Sequence, residues 1–124
     1  MASKEDCLNA ALKIEGSVGA ALGDWNTGFS LGQVSTNSSF SEAKLEIATA
    51  LNSEVIKAKN KAREGLGIAS EIEDILITLK DQYHLIRPCE NMQGVFFYIV
   101  LDREKANLGL ARIKLRSLEQ ALEL

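Results

Sequence analysis

The sequence predicts an α/β fold of the α+β kind, in which helices cover both faces of an antiparallel sheet. Val95–Leu101 is apolar at seven consecutive positions, which is typical of a central strand buried on both faces. Two shorter runs, Ile75–Leu79 and Tyr83–Arg87, come before it and are rich in β-branched and apolar residues. Their connections are too short for a crossover helix, so these three strands should form an antiparallel meander.

The N-terminal part predicts a helix followed by a β-hairpin. Apolar residues recur at helical spacing over Lys4–Ile14, and Ser3 is a suitable N-cap. Ser17–Gly23 and Phe29–Val34 read as strands joined by a turn that contains Gly28. One face of the first strand carries only Gly19, Ala21 and Gly23. A face of such small residues would let a helix approach the sheet closely.

The longest predicted helix spans Ser41–Arg63. A helical wheel predicts a broad face that lies on the sheet, made of Phe40, Ile47, Ala48, Leu51, Val55, Ala58 and Ala62. This leaves a second stripe on the opposite side, made of Leu45, Thr49, Asn52 and Ile56. We expect this second stripe to be a dimer or partner interface. The alternative is that two exposed apolar residues are ordinary on any protein surface.

The C-terminal helix is predicted from about Arg103 to Ala121, with Asp102 as its cap. Its buried stripe would be Leu108, Ala111, Leu115, Leu118 and Leu122. The full order is therefore helix, two strands, long helix, three strands, helix. A chain of 124 residues is the size of one domain, which we place over residues 1–124.

Composition argues against several classes of function. The net charge is −3 and the pI is about 5.2, so no basic footprint for nucleic acid is expected. No secretory signal and no apolar run of transmembrane length is found, and we expect no integral membrane segment. Cys7 and Cys89 could pair, but two reduced thiols in a cytoplasmic protein are the simpler interpretation.

Two segments carry a resemblance to a known family. These are the hairpin GAALGDWNTGFSLG and the block ILITLKDQYHLIRP…GVFFYIVLDREKANLGLARIKL. Together with the element order, they resemble the Roadblock/dynein light chain family of the longin-like superfamily, and within it the stand-alone prokaryotic MglB-like type. The resemblance implies a Roadblock/profilin-like sheet of five strands in the order 2-1-5-4-3. The long helix would lie on one face, and the two terminal helices on the other.

The resemblance also implies a homodimer that binds a small Ras-like GTPase as a regulator or scaffold. The third strand, with Ile75, Ile77 and Leu79, would pair with its copy, and the two long helices would lie side by side. Pairing would also remove the hazard of an open apolar edge. The alternative is a structural adaptor subunit of a motor, transport or signalling complex, without nucleotide dependence. A small-ligand sensor is a third possibility.

The sequence offers no convincing active site. The chain lacks the G-x-x-x-x-G-K-[ST] motif and is therefore not itself expected to be a GTPase. His84 is the only histidine, and Cys89 follows it without a nucleophile motif. We therefore predict no catalytic residue, no cofactor and no metal, and a protein that is not an enzyme.

Overall fold

The structure is a computed structural model, and it describes residues 2–124. It has three α-helices and five strands: α1 (Lys4–Leu12), β1 (Ser17–Asp24), β2 (Ser30–Ser35), α2 (Glu42–Gly65), β3 (Ile75–Thr78), β4 (Gln82–Pro88), β5 (Val95–Asp102) and α3 (Leu108–Ala121). The strands form one antiparallel sheet in the order β2-β1-β5-β4-β3. The predicted fold class, element order and strand order are all confirmed.

Strand β5 is the centre of the molecule because it contributes to two cores. Phe97, Ile99 and Leu101 face α1 and α3 and pack with apolar residues of those helices. Phe96, Tyr98 and Val100 alternate with them and face α2. Successive side chains of a strand point to opposite faces. The uninterrupted apolar run is therefore what a strand between two helical layers requires.

The helices begin at polar caps, one of which differs from the prediction. Ser3 Oγ accepts a hydrogen bond from the Asp6 N–H of α1 at 3.2 Å, as predicted. At α3, however, Asn107 Oδ1 accepts from the Leu110 N–H at 3.0 Å, and the helix starts at Leu108. Asp102 instead accepts from the Glu104 N–H in a turn, at 3.0 Å. Asn107 caps α3 because the chain must first turn after β5. Asp102 is still the last residue of that strand and cannot cap a helix that begins six residues later.

The small face of β1 fixes the position of α2. A Cβ atom at Gly19 would lie 2.9 Å from Leu45 Cδ1, and one at Gly23 would lie 2.5 Å from Thr49 Cγ2. Real Cβ atoms do not approach other atoms this closely, so a side chain at Gly19 or Gly23 would force Leu45 or Thr49 to move. The close approach predicted from the sequence is confirmed, and it selects which face of α2 meets the sheet.

Candidate interaction surfaces

The predicted outer stripe of α2 lies against the sheet, so that prediction is wrong. Leu45, Thr49 and Ile56 are completely buried, and Leu45 and Ile56 belong to the core beneath α2. Asn52 is partly buried on the same face, and its Nδ2 atom has no hydrogen-bond partner among residues 2–124. These four residues stabilise the fold of a single chain and are not free to form an interface.

The error has a physical cause in two polar residues of the buried face. Thr49 and Ser53 are both fully buried. Because they are polar, the face that carries them looks less apolar in the sequence than the face that is exposed. Their hydroxyl groups donate to backbone carbonyl oxygens one turn earlier, Thr49 to Leu45 at 2.7 Å and Ser53 to Thr49 at 2.9 Å. Buried hydroxyls satisfied in this way cost little. The two glycines of β1 were the available signal that this face was the one to bury.

The real outer face of α2 is an apolar stripe. It includes four residues that the helical wheel predicted to lie on the sheet, and that prediction is wrong for Ile47, Leu51, Ala58 and Ala62. Ile47 is 62% exposed and Leu51 is 64% exposed, and they lie one turn apart. Four exposed alanines continue the stripe along the helix: Ala43, Ala50, Ala58 and Ala62. We call these six residues the α2 stripe. Small residues beside two large ones would let a second helix approach closely.

Charge is distributed unevenly along α2. The N-terminal half, up to Glu54, carries three carboxylates and one lysine, and the C-terminal half carries four cations and one carboxylate. Of the cations, Lys57 pairs with Glu54 at 3.5 Å. Arg63 donates to the carbonyl oxygen of Ile68 at 3.0 Å and so fixes the end of the helix. An antiparallel copy of α2 would therefore place opposite charges side by side.

The second candidate surface is the open edge of the sheet. Strand β3 is the last strand of the sheet, and it pairs with β4. Ile75 and Ile77 are partly buried and pack against the core beneath α2, while Leu79 lies beyond the end of the strand and is exposed. The structure thus places the three predicted edge residues at one margin of the sheet.

The segment before β3 is tied to the body by charged side chains. Asp74 receives a two-pronged contact from Arg112 of α3, with Nε–Oδ2 and Nη2–Oδ1 distances of 3.0 and 3.1 Å. Arg87 of β4 lies 3.3 Å from Glu119 Oε2 and 3.9 Å from Asp74 Oδ2. Glu119 Oε1 also accepts the Glu90 N–H at 2.8 Å. This network joins residues far apart in sequence, and no local pattern could have revealed it.

Comparison with solved structures decides the fold. The chain aligns with an MglB solved in a tetrameric arrangement, with a TM-score of 0.80, 17% identity, and coverage of 94% of this chain and 82% of that one. The chain has the Roadblock/LC7 fold. A Roadblock/LC7 domain from Streptomyces avermitilis aligns with a TM-score of 0.75, 12% identity, and coverage of 91% and 88%. The gliding protein MglB from Thermus thermophilus aligns with a TM-score of 0.72, 18% identity, and coverage of 94% and 88%.

The expected MglB-like Roadblock fold is therefore confirmed at the level of the fold. No protein-family model matches the sequence, and no curated protein matches it. Identities of 12–18% show a shared fold and leave the partners of this chain open.

A polar cluster lies beneath α2 in this Roadblock fold. The Tyr98 hydroxyl lies 2.9 Å from His84 Nδ1, and His84 Nε2 lies 2.9 Å from Gln82 Oε1. A neutral imidazole satisfies both contacts, because Nδ1 accepts and Nε2–H donates. Burial lowers the pKa of His84, and the opposing effect of Asp81 is smaller. Burial also raises the pKa of Tyr98 to about 12.

This cluster predicts that acid destabilises the protein. Below the ordinary histidine pKa of about 6.5, the unfolded chain binds a proton that the folded chain does not yet bind, so stability falls as the pH falls from about 7.5 to about 5.5. Urea unfolding at both pH values measures this loss. The His84→Gln variant should lose less stability over the same interval. An equal loss in both proteins would show that His84 is not the group responsible.

The two cysteines are free thiols in protected positions. Cys7 is completely buried, and its thiol donates to the Leu118 carbonyl oxygen at 3.6 Å. Burial raises the pKa of Cys7, and burial together with the Glu119 carboxylate raises the pKa of Cys89 to about 12. Because the thiolate is the reactive form, both groups should be inert at neutral pH.

We therefore expect the native protein to react with an aromatic disulfide reagent on the order of a hundredfold more slowly than the unfolded protein. The thiolate absorbance released over time, with and without guanidinium chloride, measures the ratio. Single Cys7→Ala and Cys89→Ala variants assign each phase to its residue. A fast native phase would contradict the protection described here.

Neither a metal site nor a membrane span is formed by residues 2–124. Within this range, no three histidine, cysteine or carboxylate side chains come together where they could hold a metal ion. No helix in the same range is long and apolar enough to cross a membrane.

Proposed function

We propose that this chain is a cytoplasmic, non-enzymatic regulator or scaffold that acts as a single-domain homodimer and binds a small Ras-like GTPase. The observation that carries the proposal is the α2 stripe, with Ile47 and Leu51 exposed on a helix whose other face is fully engaged with the sheet. Contiguous exposed apolar residues on a soluble fold are typical of protein–protein interfaces. The neighbours in structure include MglB, which is described as a gliding protein in Thermus thermophilus.

A two-fold dimer would use both candidate surfaces at once. Antiparallel α2 helices would bring the acidic half of one helix beside the basic half of the other, because a C2 interface opposes each residue group with its symmetry mate. Strand β3 would pair with its copy, and the unpaired backbone N–H and C=O groups of the open edge would then be hydrogen-bonded. The residues at this edge are Ile75, Ile77 and the exposed Leu79. An interface of standard size would bury about 1,200–2,000 Å² in total.

The GTPase would bind on the helical side of such a dimer. This part of the proposal rests on the MglB-like fold, on the resemblance seen in the sequence, and on the row of cations at the end of α2. Of these cations, Lys59 and Lys61 are exposed. The alternative, a structural adaptor, predicts the same dimer but no dependence on nucleotide. The distinction is therefore functional and needs a binding experiment.

The experiment is capture of partners from a native lysate by the tagged protein, with GDP or with a non-hydrolysable GTP analogue, followed by mass spectrometry. A Ras-like GTPase enriched in one nucleotide state is the expected result. The Ile47→Glu protein, used as bait, should no longer capture the GTPase. The Ile113→Glu protein, changed on the opposite face of the sheet, should still capture it. Enrichment of subunits of a large complex in both nucleotide states would replace the regulator with the adaptor.

A further inference from the structure

Helices α1 and α3 form a groove on the face of the sheet opposite α2. Its volume is about 260 Å³, and its walls include Ala10 and Ile14 from α1 and the turn after it, and Ile113 and Leu118 from α3. Ile113 is 65% exposed, and Leu110, one turn earlier, is 40% exposed. The other side of α3 packs into the core. Ile14 and Leu118 at the floor of the groove belong to that core, whereas Leu110 and Ile113 lie outside it and are exposed.

The rim of the groove is positively charged in a protein whose net charge is −3. Lys13 of the α1 side and Lys114 of α3 both line it, and none of its lining residues is acidic. Within residues 2–124, neither lysine has a carboxylate within ion-pair distance. The surface thus combines an apolar trough with two ammonium groups that are available to pair with an incoming ligand.

We propose that this groove, which we call the α1–α3 groove, binds an acidic amphipathic helix of a partner protein. The complementary helix would insert a bulky apolar side chain beside Ile113 and place Asp or Glu, one turn away on either side, against Lys13 and Lys114. This charge complementarity selects an acidic partner, and charge complementarity sets specificity and association rate at such surfaces.

The shape of the surface favours a helix over an extended peptide. A peptide that binds by β-strand addition needs a free sheet edge for its backbone hydrogen bonds, and the groove offers only helix surfaces. A helix satisfies its own backbone and needs only an apolar stripe that lies between two helices. A lipid surface would favour a broader apolar and basic plane than a trough with two exposed apolar residues.

The α1–α3 groove lies on the other side of the sheet from the α2 stripe, so both could be occupied at once. A protein that holds one partner at α2 and another at the α1–α3 groove would join the two, which is what a scaffold does. The groove is complete in one chain and does not depend on the proposed dimer. Variants on the two faces therefore test the two proposals separately.

The test is selection of helical peptides of about 18 residues from a displayed library on the full chain, with counter-selection on Ile113→Glu. The expected peptides carry a bulky apolar residue with Asp or Glu one turn to each side. The best of them, synthesised and labelled, should bind the Ile113→Glu and Lys13→Glu/Lys114→Glu proteins at least about tenfold more weakly than the parent. Ile47→Glu, the same change at similar exposure on α2, should bind normally.

A second readout needs no variant, in case one of them folds poorly. Addition of the peptide to the ¹⁵N-labelled protein should shift the amide signals of Ala10, Ile14 and Ile113. The proposal is overturned if no peptide survives counter-selection, if the peptides are basic, or if the shifts fall on α2. It is also overturned if vesicles of phosphatidylserine and phosphatidylcholine sediment the protein through Lys13 and Lys114, because the ligand is then a lipid surface.

Discussion

Replacing Ile47 and Leu51 together with glutamate is expected to convert the proposed dimer into a monomer. Symmetry repeats each change, so four carboxylates would replace apolar side chains in one interface. Removing charges from water is costly even where cations lie nearby, and we expect the dimer dissociation constant to rise by a factor of about a hundred or more. Analytical ultracentrifugation over a series of concentrations measures the constant directly.

The chain supplies a matched control for this experiment. Ile113→Glu makes the same chemical change on α3 at nearly the same exposure, 65% against 62% for Ile47, and should leave the dimer intact. Circular dichroism of both variants should match the parent, since neither side chain is in a core. If the Ile47/Leu51 variant stayed dimeric, the α2 stripe would not be the interface, and the β3 edge alone would have to carry the dimer.

Replacing Arg87 with methionine is expected to lower the free energy of unfolding by about 3–5 kcal/mol, the usual cost of breaking a buried ion pair on one side. The Arg87 side chain is 5% exposed and that of Glu119 is 2% exposed, so the glutamate would be left charged, buried and unpaired. This is a large share of the roughly 5–15 kcal/mol that stabilises a typical domain. Urea unfolding gives the difference.

Two further variants separate burial from charge as the cause. Arg112→Met removes the other partner of Asp74, but Arg112 is 40% exposed, and the loss should be about 1 kcal/mol or less. The double variant Arg87→Met/Glu119→Leu should be more stable than Arg87→Met alone, because no charge remains without its partner. Equal losses from Arg87→Met and Arg112→Met would contradict the role given to burial.

The sequence predicts most of the fold because its strongest patterns come from the layers themselves. The seven apolar residues of β5 are typical of a strand covered on both sides, and the small residues on one face of β1 predicted a close helix. Helix starts were harder to predict, since Asp102 and Asn107 are both good caps and only the turn after β5 decides between them.

The candidate surfaces were less predictable, and the reason is visible on α2. Its two faces are nearly equal in apolar content, since Ile47 and Leu51 oppose Leu45 and Ile56. Which face is buried depends on Thr49 and Ser53, whose hydroxyl groups are hydrogen-bonded within the helix, and on the glycines of β1. These features become informative only when the tertiary contacts are known. The same is true of the contacts of Arg87 with Glu119 and Asp74.

The position of β5 next to β1 also has a consequence for how the molecule is made. The two strands pair although they lie far apart in the sequence, with Asp24 opposite Val95, so the centre of the sheet cannot close until β5 has been synthesised. Closing a long loop is entropically costly and slows folding. During synthesis the α1–β1–β2–α2 half must wait with one edge of β1 unpaired, and an unpaired strand edge is prone to pair with other chains.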